Sequence, residues 1–283
     1  MGIPSRKLNA GQNAITRSIC PRSFGVKPLV DRKQAKSQSI PKTGILYGVG
    51  VGPGDPDLVT IKAVEVLKKV PKIFAASSSK NDYSIAENIV KTHINAKDIE
   101  KLPFPMSNDK SVLLEAWEKN SARVLEILNT GTDCAFITLG DPLTYSTFSY
   151  LFKTIRKKAA NLEVVSIPGI TSFQAAAAAA NIPLSEGEES LVIVSGARGG
   201  AKLKQAVQIS DNVVMLKTYR QFNNIYQTLE DLDMLEHSTF VCKLGTDQQT
   251  IVSDLTQLKD TSTPYLSLII VKKNLKTSGK PST

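Results

Sequence analysis

The stretch Gly48-Val49-Gly50-Val51-Gly52-Pro53-Gly54-Asp55-Pro56-Asp57 joins an apolar, β-rich run over residues 45–51 to a segment with helical spacing that begins near Leu58. Glycines at the carboxyl end of a parallel strand leave room for a ligand to reach backbone amides. The dinucleotide fingerprint GxGxxG is absent in either register, and no GK[ST] follows a glycine loop. Asp55 and Asp57 would also repel a phosphate. The stretch predicts a strand-to-helix junction that is either a tight turn with an Asp cap or one wall of a ligand site.

The alternation of strand and helix continues along the chain. Segments 58–70 and 111–128 place apolar residues with a period near 3.6, which predicts helices. Short apolar runs typical of buried strands cover residues 45–51, 72–75, 135–139, 164–167, 191–195, 213–217, 239–243 and 266–271. Strands that alternate with helices indicate an α/β protein with a largely parallel sheet.

Two further junctions resemble the first in their position after a strand. Residues 138–147 (TLGDPLTYST) place Gly140 and Asp141 at a strand end, with Pro142 expected at the first position of a helix. Asp141 could accept a bond from an ammonium or hydroxyl group, or it could simply cap that helix. Residues 166–172 (SIPGITS) lead into an alanine-rich helix expected over 171–180. Three such junctions in order suggest one cleft along an edge of the sheet.

These motifs resemble the ordered landmarks of a known family. GxGPGDPxLxTxKA over 50–63, LGDP over 139–142 and PGITS over 168–172 are similar to the class III S-adenosylmethionine-dependent tetrapyrrole methylases, and the resemblance covers residues 44–271. LPFPM (102–106), GDPLTYSTFSYL (140–151) and YLSLIIV (265–271) are most similar to the subgroup of precorrin-2 or cobalt-factor II C(20)-methyltransferases of cobalamin biosynthesis. The resemblance implies methyl transfer from S-adenosyl-L-methionine to carbon 20 of the tetrapyrrole.

The resemblance also implies the architecture: two α/β domains with the active-site cleft between them, in a homodimer. A break near Pro168-Gly169 gives an N-terminal domain over 43–168 and a C-terminal domain over 169–271. The remaining segments, 1–42 and 272–283, are basic. Residues 1–42 lack an apolar period and are expected to be a disordered extension. An organellar transit peptide, a cloning artefact and a misplaced start codon all fit their composition.

Site residues follow from the resemblance by position. It implies that Pro53 lines the cleft beneath the substrate and that the other matched residues surround the methyl donor. The implied cofactor-binding set is Pro53, Gly140, Asp141, Thr144, Tyr145, Thr171, Ser172, Leu216, Lys217, Leu244 and Gly245. No residue is assigned as the catalytic base. Lys80, Arg198 and Arg220 are candidates to hold the carboxylates of the substrate, or are solvated surface cations.

Composition limits the other classes of function. The net charge of +9 comes from the two ends, since residues 43–271 alone carry −3, which argues against a nucleic-acid footprint. Cys20, Cys134 and Cys242 form no CxxC pair, so neither a disulfide framework nor a protein-bound metal is expected. No apolar run is long enough to span a membrane, and the cytoplasm is the expected compartment. Alternatives that keep the fold are another acceptor (a different precorrin, ribosomal RNA or diphthamide) or a cofactor-binding module without turnover.

Overall fold

The structure, a computed structural model, describes residues 43–77, 84–94 and 99–274. The predictions made for residues 1–42, for Lys80 and for the tail beyond residue 274 lie outside the described residues.

The first sheet is entirely parallel, with strand order β3-β2-β4-β1-β5. Its strands are β1 (Leu46–Gly50), β2 (Lys72–Ser77), β3 (Ile99–Pro103), β4 (Cys134–Thr138) and β5 (Val164–Ile167). The predicted runs anticipate all of these except β3, whose sequence carries the charged residues Glu100 and Lys101. An edge strand tolerates such residues because one side of it has no neighbouring strand.

Four helices cover the two faces of this sheet: α1 (Ile61–Lys69), α2 (Ile85–Val90), α3 (Lys110–Asn129) and α4 (Phe148–Lys158). Buried residues of α1 and α2 share one apolar cluster, and those of α3 and α4 share another. The helix expected over 111–128 is confirmed. The helix expected from residue 58 begins only at Ile61, because Thr60 caps it while Pro56–Leu58 form a separate 3-10 turn.

The prediction that a helix starts at Pro142 is wrong. Residues 141–147 form turns, and α4 begins at Phe148. The Phe148 ring is fully buried against Gly48 of β1, at a place where a Cβ on residue 48 would contact the ring atoms. This packing anchors the start of α4 and leaves the preceding residues free to line a cleft.

The second sheet is mixed, with strand order β6-β7-β10-β8-β9. Its strands are β6 (Leu191–Ser195), β7 (Asn212–Leu216), β8 (Ser238–Cys242), β9 (Thr250–Val252) and β10 (Ser267–Lys272). Only β6 and β7 run parallel, whereas β10 is antiparallel to both of its neighbours and β9 is antiparallel to β8. The expectation of a largely parallel sheet therefore holds for the first sheet and is wrong for the second, because an apolar run indicates a buried strand without indicating its direction.

Helices α5 (Ser172–Ala180), α6 (Ala201–Ile209) and α7 (Phe222–Asp231) pack on this second sheet. Helices α6 and α7 share one apolar cluster with the sheet. The alanine-rich α5 buries Phe173 and Ala175–Ala177 against the other face, with the partly buried Leu58 and Ile170 beside them. Small side chains let this helix approach the strands closely. The sequence thus folds as α/β around two sheets, while the domain limits 43–168 and 169–271 stay a prediction.

Candidate functional site

Three loops at the carboxyl ends of β1, β4 and β5 are packed against one another. The backbone N–H of Gly140 donates to the carbonyl of Gly52 at 2.7 Å. A Cβ on Gly50 would lie 2.5 Å from the Gly140 carbonyl oxygen and 2.7 Å from the Gly169 nitrogen. Glycine at residue 50 is therefore required for packing between loops, and it opens no space for a ligand.

Gly140 differs from Gly50 because it faces open space. Its φ is +69°, and the nearest atom to an added Cβ would be the Ile170 carbonyl oxygen at 3.9 Å. A φ in this range favours glycine. Gly140 is thus the glycine of the three junctions that leaves room beside the backbone.

The carboxylate of Asp141 links two of these loops. One oxygen accepts from the Leu143 N–H at 2.9 Å and from the Thr144 hydroxyl at 3.1 Å. The other accepts from the Gly169 N–H at 3.2 Å. Asp141 is therefore not the cap of a helix. Thr171 does cap one, since it forms a capping box with Gln174 at the start of α5.

The second sheet supplies the opposite wall. Leu216 ends β7, Leu244 follows β8, and Tyr265 precedes β10. Because β10 runs antiparallel to β7 and β8, its amino end lies at the same edge as their carboxyl ends. The wall thus combines the ends of two strands with the start of a third.

Between these walls lies a cleft of about 470 Å³, within the range of about 300–1,000 Å³ common for small-molecule sites. Ten of the eleven residues predicted to bind the donor line it: Pro53, Gly140, Asp141, Thr144, Tyr145, Thr171, Ser172, Leu216, Lys217 and Leu244. Gly245 does not line it. Gly245 packs against Gly54 and Asp55 and borders a smaller neighbouring cavity.

Of the residues that the structure describes, three with cationic side chains line the cleft: Arg198, Lys217 and Arg220. Burial by the surrounding protein lowers the pKa of the Lys217 ammonium, although its side chain is reachable from the cleft. Burial also raises the pKa of the Tyr265 phenol. The Tyr265 ring meets the Tyr219 ring edge to face at 5.2 Å, and the Arg220 guanidinium lies 5.4 Å from the Tyr219 ring centre. One wall of the cleft therefore combines aromatic surface with positive charge.

Several lining residues were not predicted from the sequence, among them Met106, Asn108, Phe173, Tyr219, Val241, Tyr265 and Leu268. Met106 and Tyr265 belong to motifs that carried the family resemblance, so both could have been predicted as site residues from those motifs. Nothing in the local pattern around Tyr219 marks it as a site residue.

The cleft suits a methyl donor of the kind that the resemblance implies. Gly140 leaves open space near the Ile170 carbonyl oxygen, and Leu216, Val241 and Leu244 line the same cleft with apolar side chains against which an adenosine could pack. Among the described residues no three His, Cys, Asp or Glu side chains gather to form a metal site. No helix in the described part of the chain is long and apolar enough to cross a bilayer.

Comparison with known proteins identifies the fold and the family. A protein of Methanocaldococcus jannaschii named "Probable cobalt-precorrin-2 C(20)-methyltransferase" is 39% identical over 81% of this chain and 96% of its own length. The cobalt-precorrin-2 C(20)-methyltransferase of Salmonella typhimurium is 32% identical over 81% of this chain and 97% of its own.

Among solved structures, the uroporphyrin-III C-methyl transferase of Thermus thermophilus complexed with S-adenyl homocysteine has the same fold. Its TM-score is 0.60 at 21% identity, and the match covers 81% of this chain and 98% of that one. The family profile of the tetrapyrrole (corrin/porphyrin) methylases matches residues 45–259. By this match, and by its likeness to relatives along most of their length, the chain belongs to the tetrapyrrole methylases.

Proposed function

We propose that the protein transfers a methyl group from S-adenosyl-L-methionine to carbon 20 of a precorrin-2-type tetrapyrrole in cobalamin biosynthesis. The observation that carries the proposal is the similarity, over almost the whole length of two relatives, to proteins named for that reaction. Their names favour the cobalt-bearing form of the acceptor. The cleft adds independent support, because it is large enough for a small-molecule site and has both apolar and cationic walls.

The donor would occupy the part of the cleft around Gly140. S-adenosylmethionine supplies an electrophilic methyl group carried on a sulfonium. The open space at Gly140, the polar start of α5 at Thr171 and the apolar wall at Leu216 and Leu244 are the features that would hold it. Gly245 is left out of this donor site, because it packs against Gly54 and Asp55 and borders the neighbouring cavity.

The acceptor would lie toward the cationic and aromatic wall. Tetrapyrroles of this class carry several carboxylates around a flat ring system. Arg198 and Arg220 provide positive charge at the cleft, and Tyr219 and Tyr265 provide aromatic surface. Charge-assisted bonds to carboxylates are stronger than neutral ones, so these side chains suit an acidic macrocycle better than a neutral one.

Catalysis would come mainly from positioning. Holding both reactants in one cleft can supply roughly 7–11 kcal/mol of the barrier without a protein nucleophile. The chain's contribution is to orient the acceptor carbon toward the methyl group and to exclude water between the two walls. No residue is assigned to accept the proton that leaves the methylated carbon.

The resemblance further supports a homodimer that works in the cytoplasm, with the methyl donor as its cofactor. The domain limits 43–168 and 169–271 belong to the same proposal, with the hinge near Pro168-Gly169. Size-exclusion chromatography with light scattering checks the dimer.

The decisive experiment offers the protein S-adenosylmethionine labelled with ¹³C in the methyl group, together with cobalt-bearing and metal-free precorrin-2 under anaerobic conditions. We expect the labelled methyl to appear at carbon 20 in the NMR spectrum of the product, with the cobalt-bearing form consumed faster. Label at another carbon, or on ribosomal RNA or diphthamide offered in parallel, would refute the proposed acceptor. Binding of S-adenosylhomocysteine without any transfer would indicate a cofactor-binding module.

A further inference from the structure

Among the described residues that line the cleft, three other than glycine take left-handed backbone conformations: Tyr145, Lys217 and Leu266, the last with a φ of 64°. Tyr145, in the turns between β4 and α4, has a φ of 51°, and Lys217, directly after β7, has a φ of 60°. This conformation costs roughly 1–2 kcal/mol for a residue with a Cβ, and such residues concentrate at functional sites. Since glycine would adopt it freely, the backbone alone does not account for the tyrosine and lysine side chains.

The two side chains meet across the cleft. The Tyr145 hydroxyl donates to the Ile193 carbonyl on β6 at 3.1 Å, which fixes the ring against the second sheet. The Lys217 ammonium lies 5.9 Å from the centre of this ring, inside the range of about 6 Å for a cation–π contact. Tyr145 therefore holds the ammonium group at the surface of the cleft.

Lys217 has no carboxylate partner among the residues that the structure describes. Asp141 is the one acidic residue lining the described cleft, and its oxygens are already bonded to Leu143, Thr144 and Gly169. Arg198 and Arg220 add further positive charge to the same space. Burial lowers the pKa of the Lys217 ammonium because it disfavours the charged form. A bound anion would stabilise that charge, which no carboxylate of the described chain does.

We propose that Lys217 is a specificity-determining residue that binds a peripheral carboxylate of the acceptor, with Tyr145 as the positioning residue for its ammonium. The inference rests on the proposed function and deepens it. The two parts of Lys217 then have different roles. Its backbone, together with that of Leu216, forms part of the wall that holds the donor, while its side chain binds the acceptor.

The test compares Lys217→Met, Lys217→Gly and Lys217→Arg with the unchanged protein and with Lys202→Met, which alters an exposed lysine on α6 that does not line the cleft. Cobalt-precorrin-2 is titrated anaerobically into full-length protein saturated with S-adenosylhomocysteine, and its Kd is measured from the macrocycle absorbance. The Kd of S-adenosylhomocysteine, the Tm, kcat and the acceptor KM are measured on the same samples.

We expect Lys217→Met and Lys217→Gly to raise the acceptor Kd and KM about tenfold or more, as for a lost bond between charged groups. Lys217→Arg should restore binding to within about threefold, and Lys202→Met should match the unchanged protein. The Kd of S-adenosylhomocysteine should stay within about twofold in all variants. Lys217→Gly should melt no lower than the unchanged protein, since glycine adopts this φ without cost.

Three results would overturn the inference. The acceptor Kd could be unchanged in both variants that remove the charge. The affinity for S-adenosylhomocysteine could fall by the same factor as that for the acceptor, which would assign the side chain to the donor. A lower kcat with an unchanged acceptor Kd would instead indicate a role in proton removal. If the unsubstituted protein binds no macrocycle, the proposed function itself is refuted. If that protein is active and the Lys217 variants bind the acceptor with the same Kd, only this inference is refuted.

Discussion

The carboxylate of Asp141 provides a direct test of how the loops of the first sheet build the donor site. Its contacts with Leu143 and Thr144 are local, and its bond to the Gly169 N–H at 3.2 Å joins the loop after β4 to the loop after β5. The substitution Asp141→Ala removes all three bonds and leaves the Gly169 N–H without this acceptor. The two loops that border Gly140 then lose their link.

The size of the effect follows from these contacts. An unsatisfied polar group costs about 1–3 kcal/mol. If the loop conformation that binds the donor is destabilised by this free energy, the affinity for S-adenosylhomocysteine should drop by about 5- to 150-fold. Isothermal titration calorimetry with S-adenosylhomocysteine measures it.

Asp254→Ala is a matched control. Asp254 accepts from the backbone N–H and the hydroxyl of Thr256, a local arrangement like that of Asp141 with Leu143 and Thr144. Within the described part of the chain its carboxylate bonds only to Thr256 and Gln257, and it does not line the cleft. We expect its affinity for S-adenosylhomocysteine to match that of the unchanged protein. If Asp141→Ala also binds the ligand normally, Asp141 only shapes its own turn, and its bond to Gly169 does not contribute to donor binding.

Two other predictions concern stability. Gly50→Ala should lower the free energy of unfolding by about 1–3 kcal/mol or more, because its Cβ would meet backbone atoms of Gly140 and Gly169. Urea titrations measure the loss, and a free energy of unfolding equal to that of the unsubstituted protein would contradict this packing. A hydrogen bond from Arg123 and the nearby Lys72 lower the pKa of Glu100 from 4.5 to about 2. This stabilisation is complete above the unfolded pKa and is lost as the pH falls from about 4.5 to about 2. Glu100→Gln should flatten the acid side of the stability profile, and an unchanged acid dependence would show that Glu100 does not contribute to it.

The strand-to-helix junctions were predictable from sequence because glycine and proline mark them strongly. The loops after β1, β4 and β5 and the helix α3 were found at or near the expected places, and α5 begins at Ser172, one residue after its expected start at Thr171. The start of α4 was missed because a Pro after a strand is compatible with both a helix start and a turn. The choice depends on the buried contact between Phe148 and Gly48, which brings together residues far apart in sequence.

The second wall of the cleft was less predictable. Its geometry depends on β10 running against β7 and β8, and hydrophobic pattern carries no direction. The left-handed conformations of Tyr145 and Lys217 also leave no sequence signal, because the pattern that marks such a φ is usually a glycine or an asparagine. The glycines also have two different roles that the sequence does not distinguish. Gly50 allows close contact between loops, whereas Gly140 faces open space.

A crystal structure of the protein grown with S-adenosylhomocysteine would show directly whether the methyl donor binds in the cleft. We expect the ligand to lie between the two sheets, with its sulfur beside Gly140 and its adenosine against Leu216 and Leu244. Ligand bound at another surface of the protein would contradict this placement of the donor site.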